Sequence, residues 1–287
     1  MSQIPRLNNV IAALERGTIP VLAFAQPSVE SAVALATTAY DGIIFEAEHN
    51  PYDILLLRDC LQYMLNRGQI VERATLAPAV TPLVRIPANG GEMNQWLAKQ
   101  VLDIGAYGVV WPRVSTVEQA YNAVAACRYP RPRSAADVEP AGLRGDSPTH
   151  AARYWGVAPQ EYYARADVWP INPRGEILCM IMCEDVVAID NLPRILSEVP
   201  GIGVVLIGEG DLSQNLGFPR QYEHPVVVEA MTAIRRICAE HAVPCGHPHI
   251  DATNAARHVE EGYRLLIAAP TRSYAGLDAC RTLTGRT

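Results

Sequence analysis

The stretch ILCMIMCEDVVAIDNLPRILSEVPGIGVVLIGEGD, residues 177–211, decides the reading of the fold. Its two runs ILCMIM (177–182) and GVVLIG (203–208) are apolar throughout, and residues 185–198 between them place apolar side chains at helical spacing. A strand that is apolar on both faces must be covered on both, as in a parallel sheet flanked by helices. The segment therefore reads as one β–α–β unit. A carboxylate follows each strand, Glu184 after the first and Asp211 after the second.

The same alternation extends in both directions. VLAFA (21–25), GIIFEAE (42–48), LVRI (83–86), GVVWPR (108–113), VPCGH (243–247) and LLIAAP (265–270) read as further strands. Residues 28–39, 53–66, 92–104, 115–127, 223–241 and 252–262 read as the helices between them. Eight β–α repeats predict a single (β/α)8 TIM barrel over residues 1–287, with a doubly wound open sheet as the alternative. One long interruption, residues 128–176, is rich in Pro, Arg and aromatic residues. It is expected to be an ordered excursion over the barrel mouth or an extended surface connection.

Composition narrows the class. The 287 residues are 49% hydrophobic and carry a net charge of −6, which suits one large core and argues against a nucleic-acid surface, where clustered Lys and Arg are needed. MSQIPRLNNV lacks a basic start followed by an apolar run, and no segment offers the roughly 18 uninterrupted apolar residues of a membrane helix. A soluble, cytoplasmic protein without membrane partners is expected. The seven cysteines (60, 127, 179, 183, 238, 245 and 280) form no CxxC pair and read as reduced structural thiols.

In a parallel barrel the working side chains lie just past the C-terminal strand ends. The second strand leads into Glu46, Glu48 and His49, the third carries Arg85, and the fifth and sixth lead to Glu184 and Asp211. Two carboxylates from adjacent strand ends suit a hard divalent ion such as Mg2+, Mn2+ or Co2+; each could instead cap the helix that follows it. An arginine among apolar strand residues needs an anion, so Arg85 is expected to meet a substrate carboxylate or a barrel glutamate. His49 is a candidate base, with Glu46 or Glu48 fixing its tautomer.

These residues fall within FEAEHNP (45–51), LVRIP (83–87), LDIGAYGVVWPRVSTVEQA (102–120), CRYP (127–130), CEDVVAIDNL (183–192) and IGEGDLSQNLG (207–217). In order and spacing these segments resemble the signatures of the HpcH/HpaI aldolase family, the metal-dependent class II 2-oxo acid aldolases, from about residue 8 to residue 270. The resemblance implies metal ligands at Glu184 and Asp211, a pyruvate-carboxylate arginine at Arg85, and a base at His49 acting through metal-bound water. It also implies a homo-oligomer, commonly a hexamer of dimers that exchange a C-terminal helix. Glu46 is then expected beside the base, with Glu48 and Gly210 contacting substrate.

Three positions depart from the family pattern. Glu46 stands where Asp is usual in Asp–X–Glu–His, Met182 where Gln is usual, and Gly208–Glu209–Gly210–Asp211 where Gly–Pro–Ala–Asp is usual. Met182 cannot donate a hydrogen bond, and Glu209 is expected to add negative charge near the ion.

The expected activity is aldolase cleavage or formation of a 4-hydroxy-2-oxo acid from a small 2-oxo acid and an aldehyde, through a pyruvate-type enolate. A Schiff-base route would need a lysine inside the barrel, but the single lysine, Lys99, sits in the helical stretch EMNQWLAKQVLD. His247 and His249 alternate in GHPHID (246–251) and are expected to line the aldehyde side of the pocket, His247 as a substrate contact. An H-x-H metal site of the hydrolase kind is the competing reading. Oxaloacetate decarboxylation on the same site, and a non-catalytic barrel that binds a keto acid, are the alternatives to an aldolase.

Overall fold

The computed structural model of the chain describes residues 5–73, 75–88, 93–269 and 274–286. Its strands are β1 (Val21–Ala25), β2 (Gly42–Glu46), β3 (Thr81–Arg85), β4 (Gly108–Trp111), β5 (Val168–Trp169), β6 (Ile177–Cys183), β7 (Val204–Ile207), β8 (Cys245–His247) and β9 (Leu265–Ile267). All pair in parallel, in the order β4-β3-β2-β1-β9-β8-β7-β6-β5, and the pairing of β4 with β6 through Gly108↔Leu178 to Trp111↔Ile181 closes the sheet. The result is an eight-stranded barrel, with the two-residue β5 added at the start of β6. Closure excludes the open doubly wound alternative. The eight expected strands all form; the expected strand and helix limits at residues 270 and 92 lie outside the described residues.

Alternation along each strand separates two cores. Leu22, Ile44, Leu83, Val110, Leu178, Met180, Met182, Val204, Leu206, Leu265 and Ile267 fill the interior, while their neighbours in sequence face the surrounding helices. The interior is packed solid, as side-chain layers in such barrels are. Its N-terminal end is closed by the helix Asn9–Glu15, whose Val10 and Ile11 join the inner core. Gly42 makes room for this plug, since a Cβ there would stand 2.9 Å from Val10 Cγ2. Asn8 caps the plug by accepting from the Val10 and Ile11 N–H groups, and its own amide donates to the carbonyls of Tyr107 and Glu176, each at 3.0 Å.

The excursion between β4 and β6 does not cover the mouth. It folds into two helices, Thr149–Trp155 and Pro159–Arg165, and returns along the flank to the opposite end of the barrel. Trp155 stacks on Tyr107 at 4.5 Å and donates its indole N–H to the Gly105 carbonyl, both just before β4. Arg165 reaches the Pro5 carbonyl, and Trp169 bonds Glu15 at the end of the plug. Aromatic surface there is buried against the side and floor, where a lid would have left it facing water. The helix Ala275–Leu283 packs against the helix Ala255–Glu261 and β1 of the same chain. All seven cysteines are buried and unpaired, and no helix among the described residues is long and apolar enough to cross a membrane.

Candidate active site

Strand parity selects what reaches the mouth. Glu46 continues the inward series of Ile44, Arg85 that of Leu83, and Glu184 that of Met180 and Met182. Phe24, on the inner face of β1, lies under the Arg85 guanidinium at 4.6 Å from ring centre to Cζ, a cation–π contact.

Arg85 is held between two carboxylates. One Nη donates to Glu46 Oε2, and Nε lies 3.3 Å from Glu48 Oε2, an ion-pair contact. Among the described residues its other Nη meets only the Met182 sulfur, at 3.8 Å, a weak acceptor. The barrel-glutamate partner is therefore present, and one edge of the guanidinium is not committed to a carboxylate. Glu46 Oε1 accepts the backbone N–H groups of Glu48 (2.7 Å) and His49 (3.1 Å), so this side chain shapes the turn after β2. With both oxygens so engaged, Glu46 is not the one of the two candidate carboxylates that meets the His49 imidazole. Glu48 faces it instead, with Oε2 3.6 Å from Nε2. The His49 ring is 65% exposed at the rim.

Glu184 and Asp211 meet at a third residue. Arg113, just past β4, donates its backbone N–H to Glu184 Oε1 and a guanidinium N–H to Asp211 Oδ1, each at 2.5 Å. Its φ of 54° places it in the left-handed region, sparsely populated by non-glycine residues and often strained at functional sites. The sequence reading passed over Arg113, although it stands at a strand end like the rest. Gly208 completes the cradle: a Cβ there would stand 2.2 Å from Glu184 Oε2 and 2.6 Å from its Cβ.

The electrostatics favour a cation. Burial pushes the Glu184 carboxyl up to about 7, and the negative charges of Glu48 and Asp211 add to it against the Arg113 N–H. Glu48 is also raised, by burial first, with Arg85 and His49 opposing and Glu46 and Asp211 adding. Four carboxylates crowd two arginines, and a divalent ion would offset the cost of ionising Glu184 and Glu48 beside Asp211. Among the described residues no three His, Cys, Asp or Glu form a ready ligand set. Glu184 and Asp211 could supply two oxygen ligands, with further positions left to water and a chelating ligand. The residues present therefore fit a hard divalent cation at Glu184 and Asp211.

The histidine pair lies elsewhere. Cys245 belongs to the outer core and Gly246 points inward against Leu206 and Leu265, so His247 turns outward. It stacks on His258 at 4.0 Å and meets Tyr263 edge-on at 4.8 Å, away from Glu184 and Arg85. The expectation that His247 lines the substrate pocket is thus corrected. In VPCGH both faces are buried, and the sequence alone carries no phase. Glu209 also turns outward, its carboxylate beside His249 Nδ1 and 3.6 Å from His247 Nε2. These contacts hold its carboxylate on the outer side of the barrel. Lys99 lies on the helix Gln95–Asp103 in the outer layer, away from the mouth. A Cβ on Gly210 would meet nothing within 4 Å, which leaves open space beside Asp211.

Comparison with known proteins bears on this arrangement. The family model described as HpcH/HpaI aldolase/citrate lyase matches residues 24–268. The chain is 30% identical over 240 residues to a 5-keto-4-deoxy-D-glucarate aldolase of Salmonella newport (strain SL254), covering 84% of this chain and 80% of that protein. An HpcH/HpaI aldolase/citrate lyase family protein from Burkholderia cenocepacia J2315 superposes with a TM-score of 0.73 at 26% identity, over 96% of this chain and 97% of the other. An HpcH/HpaI aldolase from Desulfitobacterium hafniense DCB-2 gives 0.72 at 24% identity, over 96% and 95%, a likeness of fold.

Proposed function

The chain belongs to the HpcH/HpaI aldolase/citrate lyase family and is a lyase, and from that premise we propose that it makes or breaks the carbon–carbon bond of a 4-hydroxy-2-oxo acid. The observation that carries this reading is the convergence of Glu46, Arg85, Glu48, Glu184 and Asp211 on one rim, with Arg113 touching the last two. Members of the family generally depend on a divalent metal. Glu184 and Asp211 would hold it, and when bound it would stabilise negative charge on the keto oxygen of a 2-oxo acid.

The chain's own groups supply the rest. Arg85, held in place by Glu46 and Glu48, receives the substrate carboxylate on its uncommitted edge. The open space at Gly210 leaves room for that carboxylate beside the strand end. His49, at the exposed rim and next to Glu48, takes the hydroxyl proton in cleavage and returns it in the addition direction. Buried apolar side chains below the rim keep bulk water off the face where the enolate forms.

The test is exchange of deuterium from solvent into the methyl group of pyruvate, followed by NMR. Exchange should occur with Mg2+, Mn2+ or Co2+ and stop in excess EDTA. Full exchange after exhaustive chelation would remove the metal from the reading, and no exchange under any condition would remove the pyruvate-type enolate.

A further inference from the structure

Behind Asp211, on the outer side of the barrel, stands a carboxylate that takes no part in the reaction above. Asp211 is the third residue of the helix Glu209–Asn215, which Gly208 precedes without a side-chain cap. The Leu212 N–H donates to the Gly208 carbonyl at 2.9 Å, so this first turn moves as one piece. Glu209 lies between two glycines, and its side chain is 4% exposed. A carboxylate so deeply buried needs partners. It meets them after β8, at His249 Nδ1 and, 3.6 Å away, at His247 Nε2.

His249 is held from three further sides. Its φ of 59° lies in the left-handed region, its carbonyl accepts from Asn254 Nδ2 at 3.0 Å, and its ring stacks on Tyr222 at 5.8 Å. Backbone strain of that kind persists only where neighbours impose it, and it collects at functional sites. The imidazole is 63% exposed, so burial does not explain why it is kept there.

From this geometry we infer that His249 is a positioning residue for the ion: through Glu209 it fixes the first turn of the helix, and so the place of Asp211. This rests on the metal-dependent reading above, which assigns Asp211 to the ion. The need for such a clamp follows from the sequence. In a Gly–Pro–Ala–Asp turn the proline ring fixes φ at about −65° by itself, and proline suits the first position of a helix. Glu209 occupies that position without a ring, so its backbone is fixed through a partner to its side chain. A cavity of about 130 Å3, lined by Glu209, Tyr222, His247 and His249 among others, adjoins the contact. Without the imidazole the carboxylate is free to turn into it. A small hard ion tolerates little displacement of an oxygen ligand, so a slack turn weakens binding.

The experiment is calorimetric Mn2+ titration of wild type, His249→Ala, Glu209→Ala, the double variant and Glu209→Pro, with urea unfolding of each metal-free protein alongside. Each alanine variant should bind Mn2+ about tenfold more weakly, and the double variant no more weakly than either alone. Glu209→Pro, which supplies a ring in place of the clamp, should bind nearly as wild type does. A histidine that served stability alone would lower the urea midpoint and leave Mn2+ affinity where it was. Unchanged affinity in His249→Ala, losses that add in the double variant, or a Glu209→Pro that binds as weakly as Glu209→Ala would each overturn the inference. Failure of the metal-dependent reading would look different and would remove both, since wild type itself would then bind no Mn2+ and exchange no deuterium.

Discussion

The backbone N–H of Arg113 ends on Glu184 Oε1, so a residue at the end of β4 and a carboxylate at the end of β6 are fixed to one another across paired strands. Each is constrained from its own side: Arg113 by its left-handed backbone, and Glu184 by the close approach of Gly208.

Gly208 is therefore a sensitive position. In Gly208→Ala the new methyl would overlap Glu184, with 2.2 Å to Oε2, and the carboxylate must move. We expect Mn2+ affinity to fall at least about tenfold and stability by roughly 1–3 kcal/mol, the usual range for overpacking. Calorimetric titration and urea unfolding measure both, and unchanged Mn2+ affinity would show that the glycine does not position Glu184.

Arg85→Lys keeps the charge and loses the fork. A lysine cannot bridge Glu46 and Glu48 and also present a free edge, so kcat/KM for pyruvate exchange should drop roughly 100-fold. The same rate in the lysine variant would take Arg85 out of substrate binding.

Removal of the His49 imidazole should separate two reactions. Retro-aldol cleavage needs a base for the hydroxyl proton, and His49→Ala should slow it by roughly 100-fold or more. Oxaloacetate decarboxylation releases carbon dioxide without that proton transfer and should suffer much less. Equal loss of both activities would assign His49 a structural part.

His247 makes the protein acid-sensitive. Burial, followed by the neighbouring His258, lowers its pKa from an ordinary 6.5 to about 3. Between those values the unfolded chain binds a proton that the folded chain does not. Stability therefore rises with pH through this window, is fully present above 6.5, and is lost as pH falls toward 3. Replacing His247 with Gln should reduce the stability lost between pH 7 and pH 4 by about 2–3 kcal/mol, an order-of-magnitude figure. Urea unfolding at a series of pH values checks this, and parallel curves for the two proteins would refute it.

What the sequence could reveal follows from what each feature depends on. The strands were legible because burial on both faces leaves uninterrupted apolar runs, and Glu184 and Asp211 because each interrupts such a run at its end. The same runs hide which face a residue takes, so His247 and Glu209 could not be told from inward-facing neighbours. Arg113 follows Trp111 and Pro112 in what reads as a continuing strand, and only its backbone turn brings it onto Glu184 and Asp211. The destination of residues 128–176 depended on contacts with Tyr107 and with the first residues of the chain, partners too distant in sequence for any local pattern to show.

The plug also has a history in synthesis. The backbone N–H groups of Leu7 and Asn8 end on the carboxylate of Glu176, separated from them by 169 and 168 positions. Translation delivers Leu7 and Asn8 well before Glu176, so their anchor is missing until that residue has been made. Contacts so far apart along the chain carry a large closure entropy and form late. That segment must therefore wait, exposed, for the barrel that it will seal.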